Sequence, residues 1–236
     1  MSETRSPETI AANLARIRDQ IARACARSGR DPHEVRIVAA AKTFGPVAIA
    51  RVRDAGVREV GENYVNELRA CRAEVKGVSW HFIGTLQSHS AHHVAELADV
   101  VETVTPSRAM QRLARRAAGL GRTIPVLVEV DFTGTRTGVA PEAVDDAVDD
   151  VVRTDGVDLA GLMTVPPIPA VAEDSRPFFR RLREIRDGVV TRYPEAKELS
   201  MGMSLDYAVA VEEGATMVRI GTALFGARRP EDAGRT

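Results

Sequence analysis

Lysine is almost missing from this chain. Among 32 basic residues only three are Lys, at positions 42, 76 and 197, and the remaining 29 are Arg. Cysteine is nearly as scarce, with only Cys25 and Cys71, far apart in helix-like segments. Two isolated thiols point to a reducing compartment and against a disulfide framework. The net charge is -1, which argues against general nucleic-acid binding. No apolar run approaches the roughly 20 residues that cross a bilayer, so no membrane partner is expected. The first residues, Met1 to Pro7, lack an apolar signal core, and the expected location is the cytoplasm. No Gly-x-Gly-x-x-Gly follows the first strand candidate, which weakens a dinucleotide-binding reading.

What is present is an ordinary globular composition, 44% hydrophobic and 28% charged over 236 residues, enough for one full core. Apolar residues at Ile10, Leu14, Ile17 and Ile21 recur at helical spacing after Ser6-Pro7. Short apolar runs then alternate with amphipathic segments. The strand candidates are 35–42, 58–62, 79–84, 99–104, 124–131, 157–165, 198–202 and 216–221. Helix candidates fall near 46–55, 64–75, 89–97, 107–118, 141–153, 175–192 and 205–213. Gly56, Gly77, Gly121, Gly156 and Gly214 precede strands, as turns after helices require. Eight strands with helices between them imply parallel pairing, and eight strands close into a (β/α)8 TIM barrel. An open doubly wound sheet is the competing fold. The expected organisation is a single barrel domain over residues 8–227, with an extra N-terminal helix and tails at 1–7 and 228–236.

Lys42 stands out within this frame. Lys76 and Lys197 have polar neighbours, whereas Lys42 ends the apolar run from Val35 to Ala41. A desolvated amine can lose its proton and attack a carbonyl, which a guanidinium cannot do. Active groups of such barrels lie at the C-terminal strand ends. Those ends hold Lys42, Asn63, Gly84, Asp131, Thr164, the run from Ser200 to Ser204, and the run from Arg219 to Thr222. Gly202 permits close backbone approach, and Ser204 is placed to cap the next helix. Gly221 and Thr222 end the eighth strand and could add amide donors. Loops after strands seven and eight often bind phosphate in these barrels. Arg219, within Val-Arg-Ile-Gly, requires an acceptor: Glu129, Asp131 or a bound ligand. An amine facing a phosphate cradle suits pyridoxal 5′-phosphate (PLP), or a sugar phosphate in a Schiff-base aldolase. Such aldolases usually carry the amine near the sixth strand, so the first-strand position favours PLP.

Other groups carry less. His89 and His93 would share a helix face near His92, but no carboxylate or Cys completes a ligand set, and no metal site is expected. His81, on the third strand, suits either cofactor contact or a hydrogen-bonded core. The acidic pairs Asp145-Asp146 and Asp149-Asp150 suit a solvated helix face.

Six segments occur in order: Ala40-Ala41-Lys42-Thr43, Gly61-Glu62-Asn63-Tyr64-Val65, Trp80-His81-Phe82-Ile83-Gly84 with Leu86-Gln87, Gly161-Leu162-Met163-Thr164, Leu199 to Ser204, and Met217 to Thr222. Together they closely resemble the PLP homeostasis proteins, the YggS/PROSC family, from about residue 8 to about 229. The resemblance implies a barrel related to the alanine racemase N-terminal domain, with PLP held as a Schiff base on Lys42. It implies that Ser204, Gly221 and Thr222 hold the phosphate, with Ser200 and Gly202 in the same loop. It places Arg219 at the pyridine nitrogen and Asn63 in the pocket wall. It implies a monomer that buffers or delivers PLP, with apo PLP-dependent enzymes as partners and no established turnover. The alternative is an amino-acid racemase using the same lysine. Against it stand an Arg at the ring nitrogen, which opposes ring protonation, and the lack of a second catalytic domain or an evident acid/base Tyr among Tyr64, Tyr193 and Tyr207. The sequence departs from the family pattern at His89-Ser90 and at Thr135-Arg136-Thr137-Gly138, where many members carry lysines. Lys42 is therefore expected to be the only covalent PLP site.

Overall fold

The computed structural model describes residues 6–226; the expected tail 228–236 and residues 1–5 lie outside it. Eight parallel strands close into a barrel in sequence order. They are β1 (Arg36–Ala40), β2 (Glu59–Glu62), β3 (Ser79–Phe82), β4 (Val100–Val104), β5 (Ile124–Val130), β6 (Val157–Thr164), β7 (Glu198–Ser200) and β8 (Met217–Ile220). Closure comes from β1 pairing with β8, with Val38 opposite Arg219. The open-sheet alternative is thereby excluded.

The helices are α1 (Pro7–Ser28), α2 (Gly45–Asp54), α3 (Val65–Glu74), α4 (Ala91–Leu97), α5 (Arg108–Gly119), α6 (Val144–Val152), α7 (Arg176–Arg192), α8 (Tyr207–Glu212) and α9 (Thr222–Phe225). Ser6 caps α1 by accepting from the Thr9 amide, and Pro7 occupies its first turn, so both belong to the helix rather than to a tail. The predicted stripe of α1 is buried at Ile10, Leu14, Ile17 and Ile21. Asn13 Nδ2 donates to the Leu224 carbonyl at 2.9 Å, tying α1 to α9. Each of the five glycines placed before strands adopts a positive φ.

Two cores result. The larger lies between the strands and the helices, filled by side chains such as Ile49, Val60, Trp80, Leu113 and Phe179. The smaller lies in the bore, where Val38, Leu127, Met163 and Met217 pack together. Alternation along each strand sends neighbouring residues to opposite cores. On β4, Val101 is part of the outer core, while Glu102, fully buried, bonds to side chains from the bore-facing positions of β3 and β7.

Several boundaries differ from the sequence reading. β1 stops at Ala40 rather than Lys42, because the chain turns at once and Thr43 enters the left-handed region at φ 72°. His89 lies in the turn before α4, so it does not share a helix face with His93. The rings of His92 and His93 lie against each other instead, with centroids 3.8 Å apart and planes tilted by 40°. Among the described residues no cluster of His, Cys, Asp or Glu is arranged to hold a metal. Cys25 and Cys71 are both buried and unbonded. No helix of the described residues is long and apolar enough to cross a membrane.

Candidate functional site

A cavity of about 460 Å³ opens at the C-terminal end of the barrel. Lys42, Asn63, Ser204, Arg219, Gly221 and Thr222 all line it. Six of the nine residues singled out from sequence thus converge on one space, although they come from four separate stretches of chain. The other three do not line it. His81 and Ser200 lie deeper in the bore, 1% and 0% exposed, and Gly202 is buried under the loop that follows β7.

The Lys42 turn is held from two sides. The Thr43 amide donates to Glu67 Oε2 of α3 at 3.2 Å. Phe44 stacks on Phe225 of α9, with ring centroids 4.4 Å apart and planes 14° from parallel. Because α9 begins at Thr222, that stack joins the lysine turn to the Gly221–Thr222 backbone. Asn63 is set by contact with the end of β3. A Cβ on Gly84 would fall 2.0 Å from the Asn63 carbonyl oxygen, so only glycine allows this approach.

The loop after β7 is organised by Asp206. Its carboxylate accepts from the Met203 amide and the Ser175 hydroxyl, each at 2.7 Å. Gly202 adopts φ +89°, and a Cβ there would lie 2.5 Å from the Ala210 Cβ. Ser204 does not cap α8, whose N-cap is Asp206 with no side-chain bond to the helix's first-turn amides. Its hydroxyl accepts from the Ala223 amide at 3.2 Å, so it bridges the loops after β7 and β8. Ser204, Gly221 and Thr222 thereby form one side of the cavity.

Arg219 is 5% exposed and lines the cavity floor. Neither Glu129 nor Asp131 supplies its acceptor. Glu129 pairs with Arg136 at 3.2 Å, and Asp131 accepts from Thr133 and from the Arg136 amide. Arg219 bonds to the Ser200 hydroxyl and, at 2.8 Å, to the Thr164 carbonyl, with Glu102 Oε2 3.7 Å away. Glu102 was not evident as a site residue in the sequence, since a glutamate within Val-Val-Glu-Thr-Val reads locally as part of a strand. Burial pulls Arg219 below its ordinary value, opposed by Glu102, Glu129 and Asp206. Behind the lysine turn, Glu62 is pushed up to about 9 by burial and by neighbouring Glu67. Burial and the same two carboxyls push the Cys71 thiol to about 12.

The residues fit a phosphorylated aldehyde with a planar ring. A lysine, a glycine-bearing backbone corner joined by a serine, and a fixed guanidinium surround a space of ligand size. Tyr64, Tyr193 and Tyr207 are not among the residues lining it. Fold and site together define a (β/α)8 barrel with a lysine and a guanidinium lining the cavity at its C-terminal end.

The comparisons agree with that class. Residues 12–229 match the family described as alanine racemase, N-terminal domain. The pyridoxal phosphate homeostasis protein of Aquifex aeolicus is 37% identical over 92% of this chain and 97% of its own. That of Escherichia coli K12 is 38% identical over 93% of this chain and 97% of its own. The solved structure of PipY from Synechococcus elongatus, with PLP bound, superposes with a TM-score of 0.81 at 32% identity. It covers 92% of this chain and all of PipY. The chain belongs to the alanine racemase N-terminal domain family and, within it, to the pyridoxal phosphate homeostasis proteins.

Proposed function

We propose that this protein binds PLP through a Schiff base on Lys42 and serves intracellular PLP homeostasis as a carrier. The observation that carries this reading is the convergence of Lys42, Arg219, Ser204, Gly221 and Thr222 on one cavity. When bound, PLP supplies a reactive aldehyde and an electron-withdrawing ring. Lys42 would hold the group covalently through its side-chain amine. Ser204 and the Gly221–Thr222 backbone would hold the phosphate, Arg219 would meet the pyridine nitrogen, and Asn63 would bound the ring.

Two features of the cavity support carrier function over turnover. A guanidinium opposes protonation of the pyridine nitrogen and so weakens electron withdrawal. Racemases tolerate an Arg there, so the absence of Tyr from the cavity lining carries the greater weight. The reading has a cytoplasmic monomer delivering PLP to apo enzymes. His81, Ser200 and Gly202 contribute indirectly, beneath or behind the residues that line the cavity.

The test is a spectrum of purified protein given PLP, before and after borohydride reduction, for wild type and Lys42→Ala. Wild type is expected to show an imine band that reduction fixes, and the variant none. Loaded wild type is then assayed for racemisation across several amino acids. Robust turnover would overturn the carrier reading, and a persistent imine band in the variant would overturn the role of Lys42.

A further inference from the structure

Beneath Arg219 runs a buried polar chain whose other members do not line the cavity. Four strands supply it: His81 from β3, Glu102 from β4, Ser200 from β7 and Arg219 from β8. His81 Nδ1 lies 2.7 Å from Glu102 Oε1, the geometry of an N–H donating to the carboxylate. The Ser200 hydroxyl donates to Glu102 Oε2 at 2.5 Å and accepts from Arg219 Nη1. All four side chains are at least nine-tenths buried. The other acid near His81 is Glu59, whose Oε2 is 3.9 Å from Nε2.

A buried carboxylate is costly, and apolar residues fill neighbouring parts of the same bore. Polar side chains are therefore not needed simply to occupy the space. Burial alone would raise the Glu102 carboxyl; the bond from His81, the charges of His81 and Arg219, and the Ser200 bond outweigh it and hold it below its usual range. The carboxylate is thus a fixed negative charge under the cavity floor. Its hydrogen bonds fix Ser200, and through Ser200 the plane of the guanidinium. The other charges facing Arg219 are Glu129, Asp206 and Arg136.

We propose that Glu102 is a positioning residue for the bound cofactor, holding Arg219 through Ser200 and setting the field at the ring, with His81 fixing Glu102 in turn. This rests on the PLP reading above. The negative charge balances Arg219 in the buried bore and favours the protonated form of the Lys42 imine. Removing it favours the neutral imine.

The experiment is a pH titration of imine absorbance on PLP-loaded protein, together with measurement of PLP dissociation, for wild type, Glu102→Gln, Glu102→Asp and Ser200→Ala. Glu102→Gln keeps the shape and removes the charge. Its imine midpoint is expected to fall by about 0.5–1 pH unit. Its PLP dissociation constant is expected to rise at least about threefold. Glu102→Asp restores the charge and is expected to return the midpoint towards wild type. If Glu102→Gln does not fold, Ser200→Ala decides, because it keeps the charge and removes the bridge. That variant is expected to weaken PLP retention by about threefold. A midpoint and dissociation constant equal to wild type in Glu102→Gln would overturn the proposal, as would unchanged retention in Ser200→Ala when that variant decides. An imine band missing from wild type itself would instead refute the PLP reading on which the proposal rests.

Discussion

The two ends of the barrel hold cavities of opposite character. The larger, about 670 Å³, lies at the N-terminal end among Arg18, Pro32, Arg36, Arg58 and Glu59. The smaller, about 460 Å³, holds Lys42 and Arg219. At the N-terminal end the guanidinium groups are bonded to the protein itself. Arg36 pairs with Glu59 at 2.9 Å and Glu198 at 2.7 Å, while Arg18 and Arg58 donate to backbone carbonyls. At the C-terminal end Arg219 is held from beneath by Ser200 and Thr164 and still lines the cavity, beside an amine and a backbone corner. The lesson is that size does not identify the site. Chemistry aimed into the space does, and in a parallel barrel that chemistry gathers where the strands end.

Substitutions at the two ends should separate sharply. Arg219→Ala is expected to weaken PLP retention by about tenfold or more, measured by equilibrium dialysis, because it removes the cavity's buried guanidinium and leaves the Glu102 charge without its balancing cation. Arg36→Ala is expected to leave PLP retention within about twofold, since its partners lie at the far end of the bore. An equal loss from both would break the distinction.

Gly202→Ala probes the loop that builds the C-terminal site. Its φ of +89° and the 2.5 Å approach to Ala210 make any Cβ strained. A loss of about 1–3 kcal/mol in urea unfolding is expected, with weaker PLP retention.

Glu62 sharpens the comparison through pH. Its carboxyl binds a proton up to about pH 9 in the folded state, against an ordinary value of 4.5. Between those values the folded protein holds more protons than the unfolded chain, so stability falls as pH rises through that window. Glu62→Gln is expected to flatten this slope, read as melting temperature between pH 5 and pH 9 (the approximate span of that window). An unchanged slope would mean that another group titrates there.

The smallest effect belongs to the N-terminal end. Arg36 is 42% exposed, so Arg36→Ala should cost about 1 kcal/mol or less in unfolding free energy.

Much of this was legible in the sequence, for local reasons. Apolar runs and glycine breaks located all eight strands, since each strand writes its own pattern. Lys42 was legible because it is a rare amine at the end of such a run. The end of β1 was not, because Ala41 and Lys42 extend the apolar run while Thr43 turns the chain with a positive φ that composition does not show. α9, at four residues, is too short for a helical period to register. The role read for Ser204 was wrong in detail because its partner, Ala223, is 19 residues away. Glu102 was missed for the same reason: Ser200 is 98 residues from it, and only barrel closure brings them together.

On the function proposed above, Lys42 alone carries PLP covalently. Reducing PLP-loaded protein with borohydride and mapping the peptides by mass spectrometry tests it directly. The pyridoxyl label is expected on Lys42, with Lys76 and Lys197 unmodified at stoichiometric PLP. Label on either of those lysines, or a stably bound PLP that leaves Lys42 unmodified, would contradict it.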